Sequence, residues 1–175
     1  MFLISRIKKQ ISVSKDYKIK KIVIDNAWVH LVFNEVLCNT AMINDFILRE
    51  LVSLNKKKLR KIEDAIPAAN IIPIEEKDIF SFVNQGFVVL IYKKIYAIEV
   101  RAILDRGVTT VASELSLTGP KDSFTENFNS NLGLIRRRIK STKLESLDLE
   151  VGRYTKTRVA VLSVRGIVKE KLVKD

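Results

Sequence analysis

Within 175 residues there is one cysteine, Cys38, and one histidine, His30. A lone cysteine cannot close an internal disulfide, and such sparing use suits a reducing compartment. Cys38 lies beside apolar residues and reads as a small buried side chain. His30 alternates with apolar neighbours in a strand-like run, so it is expected to face water. With no second His, no Cys pair and no carboxylate cluster at ligand spacing, it makes a poor metal ligand. No metal and no cofactor are expected. The chain also lacks a Gly-x-Ser-x-Gly elbow and a His-Glu-x-x-His helix. Gly119-Pro120-Lys121 has neither the flanking glycines nor the Lys-Ser/Thr ending of a phosphate loop. One histidine leaves little acid–base chemistry near neutral pH, and the spacing of Asp105, Glu114 and Glu126 pairs none of them. The sequence therefore argues against an enzyme.

Long apolar runs are missing too. Spanning a bilayer takes about 18 apolar residues, and the longest candidate, Phe87 to Val100, is broken by Lys93-Lys94. The apolar start of Met1 to Ile11 is interrupted by basic residues and Gln10, and no small-residue cleavage site follows, so no signal peptide is evident. There is no internal repeat and no low-complexity segment.

What the chain does have is positive charge and enough apolar residues for a core. Lys plus Arg number 31 against 20 Asp plus Glu, a formal charge of +11, and 47% of residues are hydrophobic. That balance fits nucleic acid, anionic lipid headgroups or an acidic partner, or simply solubility. The length suggests one domain, with room for small lobes.

Met1 to Lys18 reads as a basic arm or first helix. Tyr17 to Asp25 and Ala27 to Phe33 read as strands joined by a turn at Asp25-Asn26. Thr40 is placed to cap a helix from Ala41 to about Leu54, with Ile43, Phe46, Ile47 and Leu51 inward. The basic run Lys56 to Lys61 is a solvated helix end or a phosphate patch. Ile66-Pro67 and Ile72-Pro73 bracket an extended link. Glu75, Glu76 and Asp78 load the first turn of a short helix, and Gly86 sits where a residue just past its end would. Phe87 to Tyr92 is a continuous apolar run, as in a strand covered on both faces, with Ile95 to Val100 its hairpin partner. Leu104 to Thr118 reads as mostly extended loop, Lys156 to Val164 as a strand, and Val168 to Val173 as the start of a helix.

The stretch that organises the rest is Gly119 to Lys140. Gly119-Pro120 is a turn dipeptide, and Ser123 with Glu126 fits a capping box. Phe124, Phe128, Leu132, Ile135 and Ile139 then mark one apolar helix face. Asn127, Asn131 and Arg138 lie beside it. Several Asn, Ser130 and Gly133 disfavour a helix interior, so packing or a task for the amides must hold this segment. A helix starting within a residue or two of Ser123 and ending near Lys140 is expected. Consecutive residues on a helix point ~100° apart, so Arg136, Arg137 and Arg138 cannot share a face. Arg138 is expected to pair with Glu114 or Glu126 in a partly buried site. Arg136 and Arg137 point elsewhere, to a partner subunit, to lipid headgroups, or merely to the favourable end of the helix dipole.

The run from Gly119 to Val161 resembles the signature of the GerA family A subunits of spore germination receptors. The residues that carry the resemblance are Gly119, Pro120, Lys121, Phe124, Thr125, Glu126, Asn131, Leu134 to Ile139, Gly152 and Thr155, with Arg106 and Glu114 upstream. The chain departs from the pattern at Thr110-Val111, where the family has Glu-Pro, and at Asp122-Ser123, where many members have Glu-Gly or Glu-Ala. The resemblance runs from about Asp16 onward and covers the front part of a typical member. It implies a non-catalytic module on the cytoplasmic side of the spore inner membrane. There it would act with B and C subunits in response to nutrient germinants, with membrane helices beyond the stretch present here.

The expected fold is α/β. A mixed sheet with packed helices would have the strands around Phe87 and Val159 at its centre. Residues 1–16 would form a basic arm, 17–150 the main lobe and 151–175 the start of a second lobe. Homo-oligomers and an apolar surface left open near Val159 and Val168 follow from that division. The candidates for ligand, interface or network roles are Arg106, Glu114, Gly119, Pro120, Glu126, Asn127, Asn131, Arg136, Arg137 and Arg138. A basic nucleic-acid-binding module is the reading from another class. Against it, the aromatics do not interleave with the basic residues as a stacking platform requires. Direct binding of a germinant by this domain is a third reading.

Overall fold

The structure is a computed structural model that describes residues 2–24, 26–53, 66, 70–102, 124–169 and 171–172. The α/β class is as expected, and its strands fall into two sheets. Five strands, β1 (Tyr17–Ile24), β2 (Ala27–Asn34), β3 (Ile71–Pro73), β4 (Phe87–Ile91) and β5 (Ile95–Glu99), form one sheet in the order β1-β2-β4-β5-β3. The other two, β6 (Leu144–Val151) and β7 (Thr157–Val164), form a hairpin of their own. All the strand pairings are antiparallel. β4 is central, and each of its five residues is buried. The strand around Val159 is instead half of the separate hairpin, which also runs through residue 151, where a second lobe was expected to begin.

Alternation along the strands gives the large sheet two apolar faces. One carries Val29, Leu31, Val88, Leu90 and Ile98, and onto it pack Ile43, Ile47 and Leu51. These three come from a helical run made of α2 (Thr40–Met42), a π-helical turn (Ile43–Leu48) and α3 (Arg49–Ser53). Their four-residue spacing puts them on one side. Phe46, expected inward, is 46% exposed. The cap is Asn39, whose Oδ1 accepts from the amides of Ala41 and Met42 at 3.1 and 3.2 Å. Thr40 is already the first helical residue. The opposite face carries Tyr17, Val32, Val89 and Ile91. It is covered by Ile7 of α1 (Phe2–Gln10), by Ile11, and by Ile79 and Val83 of α4 (Ile79–Val83). Residues 2–10 are thus a helix whose apolar side closes the core. Each such side chain contributes about 2 kcal/mol through burial.

The last helix, α5 (Phe128–Arg138), lies between the large sheet and the hairpin. Leu132 joins a small cluster with Val36 and Leu37, and Phe128 and Leu162 pack against it. The opposite hairpin face, with Leu149, Val151, Val159 and Val161, is exposed, as are Ile167, Val168 and Leu172. The expected helix from Val168 is represented, among the described residues, by Lys171 and Leu172 alone.

Gly86, between α4 and β4, has φ of +86°, and a Cβ there would sit 2.7 Å from the Leu37 carbonyl oxygen. Both backbone strain and a clash with main chain oppose any side chain. Gly86→Ala is expected to lower stability by about 2 kcal/mol or more, read as a shift in the urea midpoint at unchanged slope. An unchanged midpoint would show that this turn relaxes freely.

Candidate functional site

Where α5 meets the large sheet, a charged pair is shut away from solvent. Arg136 and Asp16 have side chains 1% and 2% exposed. Asp16 sits just before β1, and its carbonyl accepts from the Glu35 amide at 2.8 Å, which fixes the entry to the strand. Arg136 faces it from the last turn of α5. Its Nε donates to Asp16 Oδ2 at 2.7 Å and its Nη2 to Oδ1 at 2.9 Å, a bidentate fork. Nη1 donates to the Leu144 carbonyl at the start of β6. One guanidinium thereby ties the segment before β1, α5 and the start of the hairpin together.

Neighbouring groups complete the site. Asn34 Nδ2 donates to Asp16 Oδ2 at 2.8 Å, while Asn34 Oδ1 accepts from the Val36 amide. The Tyr17 ring lies 5.0 Å from the guanidinium carbon, and its hydroxyl donates to Asn84 Oδ1 at 2.6 Å. Burial pushes the Tyr17 phenol up to about 12, opposed by Arg136 and reinforced by Asp16. The Ser146 amide donates to Ser14 Oγ at 3.1 Å, a second tie to the hairpin. Among the described residues no buried side-chain nitrogen or oxygen lacks a partner. The buried charges are compensated to the degree that burial demands.

The asparagines of α5 have local tasks. Asn127 caps the helix, its Oδ1 accepting from the Ser130 amide at 3.0 Å. Asn131 grips Thr125 from both sides, accepting from its amide and donating to its carbonyl, each at 2.7 Å. Thr125 Oγ1 in turn accepts from the Asn127 amide at 3.1 Å. Residues 124–127 are consequently a folded turn, and the helix begins four residues after the place the capping box suggested. The later start moves Phe124 off the apolar face; it is exposed, as is Glu126. Ser123 lies outside the described residues, as do Arg106, Glu114, Gly119, Pro120 and the basic run 56–61.

The arginine at the centre of the buried network is Arg136; the partly buried site expected for Arg138 involved Glu114 or Glu126. Arg138 and Arg137 are exposed, and Glu114, one partner expected for Arg138, is outside the described residues. Sequence reasoning missed Asp16, Asn34 and Tyr17. One signal was available: Arg136 falls four residues after Leu132 and eight after Phe128, on the apolar stripe itself. Beside this network an open cleft of about 380 Å³ is lined by Leu37, Asn84, Gln85, Arg101, Arg137 and Lys140. Cys38 is buried, and burial pushes its thiol up to about 12, which leaves it an unreactive core side chain. No helix among the described residues is long and apolar enough to cross a membrane.

Comparison with known proteins gives this architecture its place. The family described as Bacillus/Clostridium GerA spore germination protein matches residues 5–175, and the chain belongs to that family. Spore germination protein GerQA of Bacillus cereus is 23% identical over 167 residues, covering 93% of this chain and 34% of that protein. Stage V sporulation protein AF of Bacillus subtilis (strain 168) is 28% identical over 170 residues, covering 91% and 34%. The chain therefore spans about a third of the length of these relatives. The crystal structure of the N-terminal domain of the A subunit of the Bacillus megaterium spore germinant receptor GerK3 has the same fold. It aligns at a TM-score of 0.70 and 23% identity over 98% of this chain and 66% of that one.

Removing one partner of a buried pair leaves the other charge uncompensated, which costs about 3–5 kcal/mol. Arg136→Met and Asp16→Leu are each expected to destabilise by that amount, and the double variant by less than the sum of the two. Denaturant titration of the four proteins checks it. Single losses below ~1 kcal/mol, or strict additivity, would show that the pair carries no coupling.

Proposed function

We propose that this chain is the N-terminal region of a spore germination receptor A subunit, a non-catalytic module that serves receptor assembly and the response to nutrient germinants. In the intact protein it lies on the cytoplasmic side of the spore inner membrane, and B and C subunits are its partners. The observation that carries the reading is the family match along nearly the whole chain to proteins named for spore germination. The structure supports it by what the site is built to do. The Arg136–Asp16 network is sealed and fully hydrogen-bonded, so it offers a substrate no reactive group; its chemistry is that of a joint between elements.

A second reading, binding of a germinant by this domain itself, draws on the cleft beside α5. Arg101, whose Nε is paired with Glu99 at 3.1 Å, Arg137 and Lys140 bring positive charge to its wall, a lining suited to a carboxylate-bearing ligand.

The receptor reading is tested in spores. Deleting the gene is expected to abolish the response to at least one amino acid, sugar or nucleoside, measured as release of ions and loss of optical density. The chain and its B and C partners are expected in the same inner-membrane fraction. Deletion spores that germinate at the normal rate in every nutrient would overturn the reading. For the second reading, a millimolar germinant that binds is expected to raise the melting temperature of the 175-residue chain through linkage, and Arg101→Gln should remove that rise.

A further inference from the structure

The large sheet has two unlike ends. One holds Asp16, Asn34, Asn84 and the joint to α5. At the other, where Ile24 of β1 pairs with Ala27 of β2, the β4–β5 turn is brought alongside by the pairing of His30 with Ile91. On β1 and β2 near this end, Lys21 stands opposite His30 and Val23 opposite Trp28, all on one face. Trp28 is 54% exposed and Val23 44%. The Lys21 ammonium sits 3.2 Å from the centroid of the Trp28 ring. The adjacent turn carries Lys93 and Lys94, both exposed, with the Lys93 ammonium 5.5 Å from the centroid of Tyr92. The His30 imidazole is held below its ordinary pKa, first by burial and then by Lys21 and Lys8, so Lys8 of α1 is felt here as well. Gln10, at the other end of α1, bonds to Thr142 near the hairpin. Phe2, 94% exposed, therefore projects away from the joint. In the neighbouring cleft, which Lys94 lines with Glu75 and Asp78, Glu75 is engaged by Lys77 at 2.7 Å.

We propose that this end of the sheet is a docking surface for an anionic lipid bilayer. Trp28 and Val23 sit at the headgroup boundary, and Lys21, Lys93 and Lys94 contact lipid phosphates. The inference uses this end's geometry alone, so it stands or falls apart from the receptor reading. A half-exposed indole with an apolar neighbour is the residue pair that partitions into the interface, and flanking lysines add electrostatic attraction to anionic headgroups. The same features disfavour nucleic acid. Lys21 already occupies one face of the indole, which halves what it offers as a platform for a base. The cations are lysines, point charges without the planar fork that reads guanine. Docked this way, the eight-residue strands β1 and β2 would hold the Arg136 joint on the order of 25 Å from the headgroups.

Trp28 is the sole tryptophan of the chain, so its fluorescence reports on this end without labelling. The 175-residue chain is mixed with vesicles of phosphatidylcholine alone or with added phosphatidylglycerol. Binding to the anionic vesicles only is expected, with Trp28 emission shifted to the blue and quenched by lipids brominated on the acyl chain. A lysine near such a surface is worth about fivefold in affinity, so Lys93→Gln with Lys94→Gln should weaken binding about 25-fold. The matched pair Lys140→Gln with Lys143→Gln, at the other end, should leave it unchanged. Vesicle binding without a change in Trp28 emission, or an equal loss from both pairs, would overturn the proposal. So would tighter binding to duplex DNA than to these vesicles at the same salt concentration, which would assign the charge to nucleic acid.

Discussion

The ion pair between Asp16 and Arg136 is the constraint on which the arrangement of this chain depends. Dehydrating two charges costs several kcal/mol per ion, and only close, well-aligned partners offset that cost. Here the carboxylate receives two bonds from the guanidinium and one from Asn34, and the guanidinium spends its third donor on the Leu144 carbonyl. Such a geometry cannot be approximated. It forces the segment before β1, the last turn of α5 and the first residue of β6 into fixed mutual positions. Apolar contact could not do this alone, because among the described residues the cluster that α5 shares with the segment after β2 has Val36, Leu37 and Leu132 buried. Burial makes the joint firm, and the fork makes it specific.

The rest of the fold is ordered around that joint. The sheet supplies a rigid block with a buried central strand, and its two apolar faces are closed by helices from both sides of β1 and β2 in the chain. The buried polar network lies at one end of this block, and exposed Trp28 lies with Lys21, Lys93 and Lys94 at the other. The hairpin β6–β7 packs one face on α5, where Leu162 meets the helix and the Arg158 guanidinium carbon lies 4.1 Å from the centroid of Phe128.

The parts of this structure legible in the sequence are those set by short-range patterning. The β1–β2 hairpin followed from alternation, β4 from five consecutive buried positions, and the turn at Gly86 from its place after an apolar helix. The start of α5 was misplaced because two good caps lie four residues apart. Ser123 with Glu126 makes a capping box on paper, but Asn131 reaches back to bond both backbone groups of Thr125 and so holds residues 124–127 out of the helix. Asn39 and Thr40 posed the same difficulty on a smaller scale. That Arg136 would be the buried arginine was not legible, for a related reason. With the start moved and Phe124 outside, the buried stripe runs through Leu132 to Arg136, while Arg138 turns outward. Its partner Asp16 is 120 residues away, and no local pattern announces a contact of that range. The family, by contrast, was legible from the ordered residues between Gly119 and Thr155.

Heat acts differently on the two kinds of contact that hold α5. Hydration of charged groups carries a strongly negative entropy, so the penalty for keeping Asp16 and Arg136 dry shrinks as temperature rises, while apolar burial gains little further per unit area. The joint is thus costliest to form in the cold and least costly in the heat. Warming shifts the burden of holding α5 from the Leu132 cluster toward the guanidinium fork, and the same three bonds take a growing share in keeping helix, sheet and hairpin together.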